Sequence, residues 1–136
     1  MKRMRLQFML FLAMCLLFSC GEQTINQAPE DVHAAWVQAM RSSDRASALA
    51  LAADQPLKQA FVDDHLRAIR DKMAATSSRT GPLVSVEVRT VTDNGQQKVG
   101  VSVWRFERRT DCYRTVLTPT PEGWKVIGWG TLLRCS

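Results

Sequence analysis

Residues Leu6 to Phe18 are apolar apart from Gln7, and the five residues ahead of them, Met-Lys-Arg-Met-Arg, carry three positive charges and no negative one. A helix of that length rises about 20 Å, short of the roughly 30 Å of bilayer hydrocarbon, so the pattern predicts a secretory signal peptide rather than a membrane span. No polar face interrupts the run, which argues against a buried N-terminal helix of the folded domain. Residues 21–28 are polar and aperiodic, and helical spacing begins after them. Pro29 suits a first turn and Glu30 and Asp31 the positive end of a helix dipole, while Val32, Trp36, Ala39, Met40 and Ser43 recur along one side. Ser42-Ser43-Asp44 ends this helix and caps a short Ala- and Leu-rich one, Arg45 to Ala53. A third helix is expected from Asp54-Gln55-Pro56 onward. In it Val62, Leu66, Ile69 and Met73 form one stripe widened by Phe61, and Asp63, Arg67, Arg70 and Asp71 lie on the wet side.

Thr76 to Pro82 reads as a linker, and from Leu83 the period switches to two. Val84, Val86 and Val88 alternate with Ser85, Glu87 and Arg89; Asp93-Asn94-Gly95 marks a tight hairpin turn; Val99, Val101 and Val103 alternate in the next strand. Glu107 to Thr110 is a charged turn, Cys112 to Thr118 a third strand, and Pro119 to Gly123 a longer turn. Trp124 to Leu133 is the last strand, with a bulge expected at Gly128 or Gly130. Three helices followed by four strands predict a segregated α+β domain, in which N-terminal helices pack on a curved four-stranded antiparallel sheet.

Removing residues 1–19 takes away three of the 18 basic residues and none of the 13 acidic ones, so the net charge falls from +5 to near +2. The sequence pI of about 9.4 is therefore largely a property of the leader and gives no ground for a nucleic-acid partner. Leu17-Phe18-Ser19-Cys20 resembles the lipobox of bacterial lipoproteins. That resemblance implies cleavage between Ser19 and Cys20 and a diacylglyceryl group on the Cys20 sulfur, with the lipid bilayer as partner. Of the four cysteines, Cys15 then leaves with the leader and Cys20 carries lipid. Cys112 and Cys135 are expected to pair in an oxidising compartment, for about 3 kcal/mol of stability. A redox or metal pair is the alternative. There is no Cys-x-x-Cys, and the two histidines, His33 and His65, lie far upstream, so no metal site or cofactor is expected.

"DVHAAWVQAMRSSDRASALAL" and "EGWKVIGWG" are similar to the opening helices and closing strand of small NTF2-like, cystatin-like domains. Bacterial lipoproteins of the DUF4878 type join such a domain to an acylated cysteine. The resemblance implies a bent sheet wrapped around helices, often with a pocket at the open end. Some members are isomerases, dehydratases or cyclases, and many are not enzymes. The isomerase type needs a carboxylate base in an apolar pocket with a Tyr and a protonated acid as oxyanion donors. The only tyrosine of this chain is Tyr113, on a strand, and Trp36 stands on the first helix where a phenol would have been informative.

Asp63, Asp64 and His65 are the densest titratable cluster, but adjacent helical residues point about 100° apart, so a solvated face with His65 at its edge is preferred. His33 receives the same assignment. Arg105, Arg108, Arg109 and Arg114 surround one hairpin and would suit an anionic ligand; a soluble charged turn is preferred. Arg105 continues the Val99-Val101-Val103 face, placing it at the cone's mouth or in its pocket. Core packing is the default for Trp36, Trp104, Trp124 and Trp129. Trp104, Phe106 and Trp129 share a parity that could line a pocket for an apolar ligand, with Arg105 and His65 as its polar candidates. The expected organisation is a signal peptide over 1–19, a lipidated N-terminus and tether over 20–29 and the domain over 30–136. The expected role is a non-catalytic cell-envelope lipoprotein, facing the periplasm or the exterior, that binds a partner protein or small ligand. A pocket enzyme and a structural spacer or homodimer through the sheet are the alternatives.

Overall fold

The computed structural model describes residues 27–74 and 79–135. The leader, the Ser19-Cys20 cleavage and lipidation site and most of the tether lie outside the described residues.

Helix α1 spans Pro29–Ser42, α2 Arg45–Leu51 and α3 Lys58–Ala74; the strands are β1 Leu83–Val88, β2 Thr92–Asn94, β3 Gln97–Phe106, β4 Thr110–Thr120 and β5 Gly123–Leu132. Pro29 opens α1, with Glu30 and Asp31 in its first turn. The helix stops where Ser43 turns left-handed at φ 54° and the Asp44 N–H reaches back to the Ala39 carbonyl at 2.9 Å. Asp44 then caps α2, its carboxylate accepting the Ser47 N–H at 3.1 Å. α2 ends at Leu51, two residues before the sequence pattern suggests, because the next residues join the sheet. Ala52 bridges Val126 in parallel, and the Ala53 N–H donates to the Val126 carbonyl at 2.7 Å. α3 starts at Lys58 rather than Asp54, since Leu57 holds φ at 65°, a conformation no α-helix continues through. Its stripe packs as expected, with Val62, Leu66 and Ile69 buried.

The sheet is antiparallel in the order β1-β3-β4-β5, and the three-residue β2 pairs with the start of β3 as a fifth strand. Asp93 and Asn94 thus belong to a strand, and the turn falls on Gly95 and Gln96, with Gly95 at φ 66° in the first central position. Two irregularities shape the sheet. Val84 is squeezed out between the Leu83 and Ser85 pairings and is 65% exposed. In β5 the register slips at Ile127, beside Gly128.

The helix-facing side of β3 consists of Gly100, Ser102, Trp104 and Phe106, all buried. The Val99-Val101-Val103 row with Arg105 therefore faces outward, away from the helices, and corrects the placement of Arg105 at a pocket mouth. Alternation fixes that two faces differ but not which one the helices cover. Cys112 and Cys135 are bonded, their Cα atoms 5.3 Å apart. Cys112 lies between Val103 and Leu132 on the outer face, so the bond draws the C-terminal residues over Val103, which is 1% exposed.

Candidate functional site

Trp129 is the hub of the space between helices and sheet. Its ring stacks on Tyr113 with centroids 4.5 Å apart and meets Trp36 and Trp104 edge-on at 6.3 and 6.4 Å. Trp36 stacks on Phe61 at 5.9 Å, and the His65 ring lies 4.5 Å from Phe61 and 5.5 Å from Trp129. Trp36, Trp104, Tyr113 and Trp129 are buried in the interior, and Phe61 and His65 of α3 lie half-buried against them. Each fully buried indole removes roughly 150–250 Å² from water, about 4–6 kcal/mol before entropy is counted. Trp104, Phe106 and Trp129 share the inner face, as their parity predicts, but they pack into this core together with Tyr113 rather than lining an open pocket.

His65 is part of the same packing. Its Nδ1 lies 2.7 Å from the Phe61 carbonyl and its Nε2 2.7 Å from the Trp129 carbonyl; a neutral ring carries one N–H and donates to one of the two, and backbone oxygens cover both nitrogens. Arg105 lies on the opposite face of the sheet, 2.8 Å from Glu87, whose carboxyl it holds below the usual carboxylate range. Asp63 pairs with Arg45 at 2.7 Å and Asp64 faces Arg67 at 3.8 Å, so the Asp63-Asp64-His65 triplet is split three ways. Of the five pocket candidates, Arg105 lies on the outer face of the sheet, while Trp104, Phe106, Trp129 and His65 lie on the helix side.

A charged cluster sits at the edge of the ring core. Asp111, 7% exposed, is 2.9 Å from Lys72 on α3 and accepts from Arg109 Nε at 2.7 Å. Lys72 also donates to the Tyr113 hydroxyl at 2.7 Å. Burial raises the Tyr113 phenol and outweighs the Lys72 bond. Burial also pulls the Lys72 ammonium down, but its bonds to Tyr113 and Asp111 prevail and the net shift is upward. Both groups move away from neutrality, opposite to what a general acid or base working near pH 7 requires. The cluster pins the end of α3 to β4. Its strand half is legible in sequence, because Asp111 and Tyr113 stand two apart on one face; its partner Lys72 comes from 39 residues upstream and is not.

His33, assigned to a solvated face above, is fully buried instead. It lies on the same side of α1 as Trp36 and Met40, and its ring rests on Gly100, where an added Cβ would come within 2.5 Å of it. Burial lowers its pKa from 6.5 to about 4, so the imidazole is neutral. Trp104 Nε1 donates to Ser102 Oγ at 3.1 Å, but the His33 ring nitrogens, Trp36 Nε1, Trp129 Nε1 and Thr115 Oγ1 have no partner among the described residues. An unpaired buried polar group costs about 1–3 kcal/mol, and a whole domain is stable by about 5–15 kcal/mol.

Among the described residues, no group of three His, Cys, Asp or Glu side chains is placed to hold a metal ion, and no helix is long and apolar enough to cross a membrane. An open cleft of about 610 Å³ lies between the α2–α3 connection and the β4–β5 hairpin, with Asp54, Lys58, Glu122 and Lys125 on its rim.

Among the described residues, three helices on one face of an open five-stranded antiparallel sheet match an NTF2-like fold. Two solved structures share it. A Campylobacter jejuni protein described as an NTF2-like transpeptidase superposes with a TM-score of 0.52 at 19% identity, over 74% of this chain and 97% of that one. A Thiobacillus denitrificans protein described as a calcium/calmodulin-dependent protein kinase type II association domain gives 0.57 at 12% identity, over 80% and 97%. At these identities the likeness is one of fold. No family model and no curated protein matches the chain.

Proposed function

We propose that the chain is a lipid-anchored protein of the bacterial cell envelope, tied to the bilayer through acylated Cys20. Its NTF2-like domain is not catalytic and works by contact, pairing with a second copy through the outer face of the sheet. The filled interior carries this reading. A pocket enzyme of the isomerase or dehydratase kind needs space for a substrate beside groups that titrate near neutrality. Here four buried rings, with Phe61 and His65 half-buried beside them, take up that space, backbone carbonyls cover the nitrogens of His65, and Lys72 and Tyr113 shift away from neutral pH.

The outer face has the opposite character. Val99, Val101 and Val116 lie side by side on β3 and β4, half-buried only by their neighbours, and Gly128 and Gly130 leave the adjoining stretch of β5 flat. Glu87, Arg105 and Arg114 supply both signs of charge around the row. A two-fold contact can then set valine row on valine row inside a charged rim, with Arg114 at its edge and Glu87 paired to Arg105 of its own copy. The description of the Thiobacillus neighbour as an association domain is consistent with such a use. A net charge near +2 without the leader leaves nucleic acid without a binding footprint.

The experiment has two arms. Cys20→Ala should move the protein from the membrane to the soluble fraction. Val101→Glu should convert a wild-type dimer to monomer in sedimentation equilibrium, with circular dichroism unchanged. Membrane retention of the first variant contradicts the anchor, and a monomeric wild type contradicts the contact.

A further inference from the structure

Five buried polar atoms between α1 and the centre of the sheet lack a partner among the described residues, and the residues that carry them are neighbours. Gly100, Thr115 and Trp129 stand side by side on β3, β4 and β5, with their inner sides toward α1. The His33 ring rests on Gly100. Trp36, one turn along α1 from His33, meets Trp129 edge-on at 6.3 Å. The orphaned atoms are Nδ1 and Nε2 of His33, Nε1 of Trp36, Nε1 of Trp129 and Oγ1 of Thr115. His33, Trp36 and Thr115 are completely buried and Trp129 is 8% exposed.

We propose that this row is an internal hydration site, holding one or two water molecules that bridge Thr115, His33 and the two indoles. Left dry, each unpaired polar group would cost about 1–3 kcal/mol. Their hydrogen-bond inventory points to the guest. Two indole N–H groups, one imidazole N–H and the threonine hydroxyl donate, whereas only the second imidazole nitrogen and the hydroxyl oxygen accept. Donors outnumber acceptors, and a water oxygen offers lone pairs to the surplus while its protons serve the imidazole nitrogen. Burial keeps His33 neutral, so the row presents no cation to a carboxylate or phosphate, and a small neutral hydrogen-bonding molecule is the class that fits. The missing Cβ at Gly100 is what lets the imidazole come down onto the sheet and complete the row.

The sign of one substitution separates a wet row from a dry one. In a dry row, Thr115→Val removes an unpaired hydroxyl and leaves the protein as stable as before or more so. In a hydrated row it takes a bond from an enclosed water and should raise the unfolding constant about tenfold, with Thr115→Ser close to wild type. Oxygen-17 relaxation dispersion of water in solutions of the full chain, purified in detergent, counts long-lived internal molecules directly and needs only the wild type. A dispersion from at least one such molecule, diminished in T115V, is the expected result. No dispersion in the wild type overturns the proposal whether or not T115V folds, and so does a T115V protein of equal or greater stability.

Discussion

Acidification should destabilise this protein through His33 in a way that one substitution removes. The imidazole is fully buried against Gly100, and burial lowers its pKa from 6.5 to about 4. In the unfolded chain the ring takes up a proton near its ordinary value, so between those two limits the unfolded state binds more protons than the folded one. The stability involved is therefore present in full above about pH 6.5 and is lost as the pH falls toward about 4. With about 1.4 kcal/mol for each tenfold change in proton affinity, the loss is about 2 kcal/mol at pH 5 and approaches about 3 kcal/mol below pH 4. Urea denaturation followed by tryptophan fluorescence at a series of pH values measures it. The reference is His33→Leu, which removes the titrating group without removing a protein hydrogen bond, since neither ring nitrogen has a partner among the described residues. Carboxylates held below their ordinary range, such as Asp44 and Asp63, add acid sensitivity of their own, but they are common to both proteins and cancel in the difference. Parallel pH profiles for the two proteins would refute the reasoning, as would a folded-state His33 ring proton titrating near 6.5.

The packing and the covalent frame yield two further expectations. Gly100→Ala drives a methyl group to within 2.5 Å of the His33 ring and should cost about 1–3 kcal/mol; in a His33→Ala background most of that cost should vanish, which a double-mutant cycle of thermal melts checks. Cys135→Ser opens a bond spanning 23 residues and should lower stability by about 3 kcal/mol in the chain-entropy account; the same midpoint with and without reductant would show that the bridge contributes nothing.

The parts of this fold that are legible in the sequence are those decided within a few residues. Pro29 with Glu30 and Asp31, the Asp44 cap, the stripe of Val62, Leu66 and Ile69 and the glycine turn at Gly95 each carry their own physical reason for being where they are. The short end of α2 and the late start of α3 are not of that kind, because Ala52 and Ala53 leave the helix to bond with Val126, more than 70 residues away in the chain. The candidate site fails to show for a related reason. In β3 one parity reads Val99, Val101, Val103 and the other Gly100, Ser102, Trp104, Phe106, and hydrophobicity alone favours the first as the buried side.

Volume decides otherwise. Helix α1 presses the His33 ring onto Gly100 and Trp36 against Trp129, and only a strand that is small at Gly100 can receive the imidazole while Trp104 and Phe106 fill the remaining depth. Large side chains on α1 thus select the uneven parity of β3, and the valines of the other parity face away from the helices, Val99 and Val101 half-buried and Val103 covered. The same fit places the unpaired polar atoms of His33, Thr115, Trp36 and Trp129 between α1 and the sheet and leaves Val99, Val101 and Val116 half-buried on the outer face. One packing choice in the centre of the sheet accounts for the ring core and underlies both the proposed hydration row and the proposed contact face. Substitutions that enlarge position 100 should therefore disturb the inner row before they disturb the proposed association through the valines.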